Sequence, residues 1–331
     1  MPAPGPAPGV RMTHEGFLLR MPGRGVHSLT ERITADQDLF IVTHMGMAEV
    51  DPTAWRLDVG GLVRRPASFS LADVLAMPQH QVTSVHECAG SPLAPTEPKR
   101  RVGNVAWSGV RLSDMLDRAG VDAAAAYVWS EGLEWGAFAG LTGEPFVKDL
   151  PLAKALTPEV LLAVAMNGAP LTPERGGPVR LVVPGWYGTN SVKWLGRLTL
   201  ADRRAPGPFT TRFYNDPTPE GPRPVWGIAP ESILVQPAPN APPQAGRPCT
   251  IMGWAWAEAG VARVEVSTGG GDWTDAALEP RAGFAWQRFT LPWTPTPGRH
   301  RLLCRCTDAR GTTQPASGAR NAVHMIEITV A

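Results

Sequence analysis

The chain is poor in cysteine and in charge, and it has no long apolar run. Four Cys among 331 residues, at positions 88, 249, 304 and 306, rule out a disulfide framework. None stands in a C-x-x-C spacing, which excludes a zinc ribbon and a redox dithiol, and C-x-x-C-H, the c-type haem signature, is missing. The seven His include no H-x-H or H-x-x-x-H pair and so form no local metal cluster. Charged residues are 18% with a net charge of +1, which excludes an electrostatic footprint for nucleic acid or a basic tail for a membrane surface. No stretch approaches the ~20 apolar residues of a membrane span. The opening MPAPGPAPGVRMTHEG has neither an apolar signal core nor twin arginines, so a cytoplasmic location is expected. Gly-x-Ser-x-Gly, a Walker loop and a Rossmann fingerprint are absent.

What is abundant is punctuation. Gly and Pro number 35 each, 70 of 331 residues, which predicts many turns and few long helices. Twelve Trp and a 43% hydrophobic content require a sizeable core. The length suggests about two domains. The expected division is an N-terminal arm over 1–35, mobile or wrapped on the body, then a domain over 36–205, a linker over 206–230 and a second domain over 231–331. In the first domain, WRLDVGGLV, QVTSVHEC, AAYVWS, VRLVVP and SVKWLGRLTL read as strands. SLADVLAM reads as a short helix capped by Ser70. GVRLSDMLDRAG reads as a helix with Leu112, Met115, Leu116 and Ala119 on one face and Gly120 at its end. EVLLAVAMNG ends in an Asn-Gly turn. Twelve prolines between 206 and 248 suggest an extended connection. Beyond it the period is two. Val264 and Val266 point inward with Arg263 and Glu265 outward, Leu302, Cys304 and Cys306 share a face, and so do Ile326, Ile328 and Val330. That pattern predicts a β-sandwich of about 90 residues.

Two places can carry chemistry. Cys88 ends a strand and precedes Ala89-Gly90; its thiolate is a soft metal ligand, and its bland alternative is a small buried hydrophobe. Cys249, Cys304 and Cys306 fit the bland role. The run ERGGPVRLVVPGWYGTNSVKWLGR sets Arg175, Arg180, Lys193 and Arg197 among glycines that let a ligand approach the backbone. Read alone, it is equally well a pair of strands with solvated charges.

Together these pieces resemble the sulfite oxidase family of molybdenum enzymes, from about Asp38 to the C-terminus. HECAG resembles the family's Cys-Ala-Gly motif, GGPVRLVVPGWYGTNSVKWLGRLTL its pterin-binding signature, and GWAW with VARVEVSTGGGDW its C-terminal domain. The resemblance implies an α+β fold: a sulfite-oxidase-like molybdopterin domain followed by an immunoglobulin-like β-sandwich that often mediates dimers. It implies a molybdenum–molybdopterin cofactor, with Cys88 as metal ligand, Arg180 on the cofactor phosphate, and Ser191, Val192 and Lys193 in contact with the cofactor. His44 and Thr43 fall at the family's Phe-x-x-Arg-Asn-His stretch near the cofactor, and Arg175 stands where many members have His. Tyr214 and Trp107 would line the substrate pocket, and Glu131 to Trp135 would border the cofactor in an unfixed register.

The chain departs from sulfite-oxidising members at anion-binding arginines. Ser91-Pro92-Leu93 follows Cys-Ala-Gly where they read Asn-Arg-Arg, Val42 replaces an Arg, and Gln287 marks another loss. Each lost Arg contact weakens dianion binding by roughly 1.5–3 kcal/mol if buried. Lys99, Arg100 and Arg101 are candidate replacements. The resemblance implies oxygen-atom transfer. Oxidation of sulfite to sulfate, with an external electron-transfer partner, is the expected function. Reduction of S-oxides or N-oxides is the alternative, and a neutral oxide needs no arginine cage. Nitrate reduction fits less well, since those members carry appended haem and flavin domains. A cofactor-free binding module is the alternative from another class. The expected partners are a small-molecule substrate, the electron partner and a second copy of the chain in a homodimer.

Overall fold

The structure is a computed structural model describing residues 7–22, 25–90, 101–269 and 271–331. Ser91, Pro92, Leu93, Lys99 and Arg100, singled out above, lie outside the described residues. The chain divides into two compact units, and each draws on non-contiguous segments. The first takes the described residues within 1–20, 40–82 and 106–226; the second takes those within 21–39, 83–105 and 227–331.

In the first unit a five-stranded sheet runs in the order Val147–Pro151, Tyr127–Gly132, Leu195–Ala201, Arg56–Gly61, Ala67–Ser70. Its one parallel pair joins Leu195–Ala201 to Arg56–Gly61. Branched and aromatic residues at alternating positions, among them Leu57, Val59, Val128 and Leu198, face one buried core. The helix Leu112–Ala119 covers it with the expected face: Leu112, Met115, Leu116 and Ala119 are all buried. Each large aliphatic so buried stabilises by about 1.5–3 kcal/mol. Gly120 ends the helix at a φ of 71°, a left-handed conformation that favours Gly. Ser70 caps the helix Leu71–Leu75 through a reciprocal capping box with Asp73. Asn167 and Gly168, both at positive φ, turn the strand Leu161–Met166 back onto Ala169–Pro170. The same strand also pairs with Arg180–Val182 and with residues 107–111.

The arm, expected to be mobile or wrapped on the body, contains two strands and a 3-10 turn, Val26–Ser28, among its described residues. Val10–Glu15 pairs with Gly46–Val50, and Leu18–Arg20 pairs with Ile41–Thr43. Pro and Gly in the first nine residues hid an ordinary alternating strand behind them, VRMTHE. SVKWLGRLTL is strand only from Leu195, because Trp194 adopts φ 45° and breaks the extended run. The proline-rich stretch holds more structure than an extended connection: the one-turn helix Pro208–Thr211, the paired Asn215–Asp216 and Arg223–Pro224, and the strand Glu231–Gln236.

The second unit contains two four-stranded antiparallel sheets. One is Glu231–Gln236, Cys249–Trp256, Gln287–Trp293, Ala277–Leu278; the other is Thr274–Asp275, Val261–Ser267, Gly298–Asp308, His324–Val330. Leu234, Ile251 and Phe289 from the first meet Val264, Leu302, Cys304 and Cys306 from the second in one core, so the sheets form a sandwich. Glu265 departs from the expected outward position. It is buried, because Arg305 forks onto its carboxylate at 2.8 and 3.1 Å and itself lies over the Trp273 ring. Gln287 is likewise structural: its amide joins the backbones of Val261 and Glu279. The tryptophans Trp254 and Trp286 stack at 4.7 Å. Trp254 Nε1 donates to the Leu29 carbonyl and Trp256 Nε1 to Glu87, so segments before residue 106 complete this unit. Sheet predominates throughout; the longest α-helix among the described residues has eight residues, and none is long and apolar enough to cross a membrane.

Candidate functional site

Three cations of the first unit act on one another, and Arg180 and Lys193 also feel the Glu134 carboxyl. Arg175 ends a 3-10 turn, Pro173–Arg175, and its guanidinium donates to the Phe40 carbonyl at 2.8 Å. Arg180, on the strand Arg180–Val182, donates to the carbonyls of Arg175 and Ser191 at 3.0 Å each and lies 4.9 Å from the Trp107 ring. Lys193 donates to the Glu174 carbonyl at 3.4 Å and covers the Trp194 ring at 4.3 Å. Gly176 makes this packing possible. Its φ is 91°, and a Cβ there would stand 2.6 Å from Lys193 Cβ. The Ser191 hydroxyl accepts from Val183 N–H, while the Val192 side chain lies in the core and its carbonyl accepts from Leu181 N–H.

Glu134 is the acid among these cations. The register left open over Glu131 to Trp135 closes this way: Glu131 is half-buried, and Glu134 is 4% exposed. A Cβ at Gly132 would fall 2.0 Å from Glu134 Oε2, so Gly132 is what lets the carboxylate fold back. Burial pushes the Glu134 carboxyl well up, against the opposing pull of Lys193 and Arg180. Burial also pulls Lys193 down, with Arg180 adding to it, and pulls Arg180 down, with Arg175 adding to it. Arg180 Nε and Glu134 Oε2 are buried and make no hydrogen bond within the described protein. A buried cluster of cations, with an idle donor and an idle acceptor, suits an anionic ligand that also carries N–H groups. A phosphorylated pterin has that donor and acceptor set, so the residues fit the implied cofactor.

A second cluster surrounds His44. Its Nε2 is hydrogen-bonded to the Tyr214 hydroxyl. The imidazole stacks on Phe146 at 5.1 Å and meets Phe138, Phe209 and Phe17 edge-on at 4.9, 5.5 and 6.0 Å. Burial, then the charges of Lys193 and Lys148, lower its pKa to about 3, so the ring is neutral at physiological pH. Tyr214 is held at φ 59°, a left-handed conformation costly for a residue with a Cβ. The Asn215 side-chain amide, bonded to the carbonyls of Thr210 and Phe213, fixes that turn. Thr43 is buried with its hydroxyl 3.5 Å from the Gly16 carbonyl, and Val42 pairs with Leu19. Trp107 lies beneath the Arg180 guanidinium.

Cys88 is part of the second unit. It follows the strand His80–Glu87; its N–H donates to the Arg101 carbonyl at 2.9 Å, and its Sγ accepts from Gly90 N–H at 3.4 Å. Burial raises its thiol pKa, against the Gly90 N–H and the Arg101 charge, which lower it. Arg101, one of the candidate replacement charges, therefore stands beside the thiol. Among the described residues no three His, Cys, Asp or Glu side chains could hold a metal together. A cofactor-bound metal brings most of its ligands with it and needs few from the protein.

Residues 44–209 match the family described as oxidoreductase molybdopterin binding domain, and residues 223–329 match the Mo-co oxidoreductase dimerisation domain. Mitochondrial sulfite oxidase of Mus musculus is 32% identical over 342 residues, spanning 90% of this chain and 62% of that protein. Sulfite oxidase of Gallus gallus is 32% identical over 88% of this chain and 70% of its own. The chain thus spans about three-fifths of the length of the mouse relative. The crystal structure of the sulfane dehydrogenase SoxCD from Paracoccus pantotrophus superposes with a TM-score of 0.79 at 30% identity, covering 92% of this chain and 86% of that one.

Proposed function

The chain belongs to the sulfite oxidase family of molybdopterin-binding oxidoreductases, and from that premise we propose that it oxidises sulfite to sulfate. Sulfite and water give sulfate, two protons and two electrons, and the electrons leave to an external acceptor. The observation that carries this reading is the cation cluster Arg175, Arg180 and Lys193, with the buried Arg180 Nε and Glu134 Oε2 making no hydrogen bond within the described protein. A bound molybdenum–molybdopterin supplies the two-electron couple and the oxygen-atom transfer. In this reading Arg175, Arg180 and Lys193 hold the cofactor phosphate, Ser191 and Val192 shape the backbone that cradles it, Trp107 backs Arg180, and Cys88 supplies the protein thiolate. His44 and Thr43 border the cofactor, and Tyr214, anchored by His44, hydrogen-bonds the substrate. The relatives named for sulfite oxidation and the neighbour named for sulfane dehydrogenation support the oxidative direction on a reduced sulfur substrate.

A second reading rests on the aromatic ring of residues around His44. Phe17, Phe138 and Phe146 surround a neutral imidazole, and Val42 stands where the resemblance implies an arginine; both favour a neutral S-oxide or N-oxide reduced on the same cofactor. The C-terminal sandwich, 231–331, is read as an immunoglobulin-like domain that pairs two copies of the chain, in keeping with the dimerisation family it matches.

Metal and pterin analysis of purified protein, followed by sulfite-dependent reduction of an artificial acceptor, tests the proposal. Cys88→Ser is expected to fold and retain pterin but to lose turnover, because serine is a harder and far less acidic ligand. Cofactor-loaded protein that reduces a neutral S-oxide and ignores sulfite would replace the first reading with the second. Full activity in Cys88→Ser would remove Cys88 from the metal.

A further inference from the structure

Lys148 is a buried cation that nothing in the family reading uses. It sits on the strand Val147–Pro151 and is 1% exposed. Its Nζ donates to the Phe209 carbonyl at 2.8 Å and stands 5.2 Å from the centroid of the Tyr214 ring. The nearest acid in sequence is already engaged: Asp149 accepts from Arg204 Nε at 2.9 Å, from Arg204 Nη2 at 3.0 Å and from Ala205 N–H at 3.0 Å. A buried ammonium facing one carbonyl and one ring is costly, and an apolar side chain of similar volume would fill the space without that cost. Packing therefore does not explain a lysine here, but its charge beside Tyr214 does.

We propose that Lys148 is a positioning residue for Tyr214: anchored on the Phe209 carbonyl, its ammonium holds the ring by its face while His44 holds the hydroxyl, presenting a charge-stabilised phenol to the substrate. This rests on the reading of Tyr214 as a substrate-pocket residue. The three side chains come from separate elements: Lys148 from a sheet strand, His44 from the end of the strand Ile41–Thr43, and Tyr214 from the turn after Pro208–Thr211. Phe146 and Phe209, with ring centroids 4.5 Å apart, help bury Lys148 and His44, while Tyr214 is half-buried. A cation on an aromatic face is stronger when so desolvated.

The groups that face Lys148 are Asp149, Arg204, Tyr214 and His44, with Lys193 also acting on His44. Burial lowers the Lys148 pKa to about 8, with Asp149 opposing and Arg204 adding to the shift. The ammonium is therefore charged at neutral pH and lost as pH rises through about 8. Loss of that charge removes the cation from the Tyr214 ring face, so the ring should report the Lys148 titration.

The test is Cζ NMR of the three tyrosines in cofactor-loaded, ¹³C-tyrosine-labelled protein, with the Tyr214 signal assigned by Tyr214→Phe. The wild-type Tyr214 Cζ signal is expected to move as pH rises through about 8, and Lys148→Met should abolish that inflection. Lys148→Arg should abolish the inflection while keeping the neutral-pH Cζ position, because guanidinium stays charged. A folded Lys148→Met that keeps the inflection near 8 overturns the proposal. Should Lys148→Met not fold, wild-type lysine ¹⁵Nζ spectra decide: a lysine titrating near 8 with a matching inflection at Tyr214 Cζ supports it, and no such inflection refutes it. Absence of sulfite turnover with this coupling intact would count against the sulfite reading alone.

Discussion

At the scale of single residues, what distinguishes this molecule is ionisation set by burial. His44 is the clearest case. Its pKa falls from 6.5 to about 3 on folding, so the folded chain binds fewer protons than the unfolded chain between those values. Stability that is complete above about 6.5 is then lost as pH falls toward about 3, on the order of 1.4 kcal/mol per pH unit. Thermal unfolding followed from pH 7 to pH 4 should show a steep acid loss of Tm in the wild type and a shallower one in His44→Gln. Equal slopes would mean that other groups dominate acid unfolding. This ionisation was not legible from sequence, where the family resemblance set His44 near the cofactor without its charge state and Lys148 reads as one charge in FVKDL. Glu134 hid for a different reason. Gly132 and Leu133 break the period-two pattern of the strand Tyr127–Gly132, so the register of the next acid follows only from the backbone.

At the scale of elements, the cation cluster is built by a turn rather than by a strand. The chain Thr172–Gly177 folds so that Gly176 meets the Lys193 backbone, and Trp194 N–H donates to the Gly176 carbonyl at 3.0 Å. Gly176→Ala brings a Cβ to 2.6 Å from Lys193 Cβ at a φ of 91°. Left-handed strain alone is worth roughly 1–2 kcal/mol, and relief of the clash must displace Lys193. The expected outcome is a Tm several degrees lower and reduced cofactor content on purification, with far-ultraviolet circular dichroism unchanged. Undiminished pterin content would show that Lys193 can move without loosening the cradle. The helices Leu71–Leu75 and Leu112–Ala119 were readable in advance because their signals are local: a capping box in one, an i, i+3, i+4 apolar face ended by Gly in the other. The strands Val10–Glu15 and Leu18–Arg20 were not, since nothing local says that residues near 45 will supply their partners.

At the scale of the whole molecule, the second unit is a sandwich completed by early chain segments. Trp254 bonds to Leu29, Trp256 to Glu87, Trp286 N–H to Asn104, and Val85 N–H to Phe284. A fragment of residues 227–331 lacks all of these partners. It should keep a β-type circular dichroism spectrum, because the core of both sheets lies within it, while its tryptophan emission shifts to the red and the fragment self-associates. A helical spectrum would contradict the sandwich, and blue emission from a monomer would show the early segments to be dispensable.

The amino-acid sequence by itself determined the alternation that makes Val264, Leu302, Cys304 and Ile328 a core, the glycine turns, and the presence of Cys88, Arg175, Arg180 and Lys193 in motifs of a molybdopterin enzyme. These are properties of neighbours along the chain, and short-range physics suffices for them. Only the tertiary structure decided that Glu134 closes the cation cluster, that Trp107 backs Arg180, that Glu265 is buried under Arg305, and that Lys148 reaches Tyr214. Each depends on residues tens of positions apart being desolvated together, and desolvation is what converts a solvated charge into a functional one.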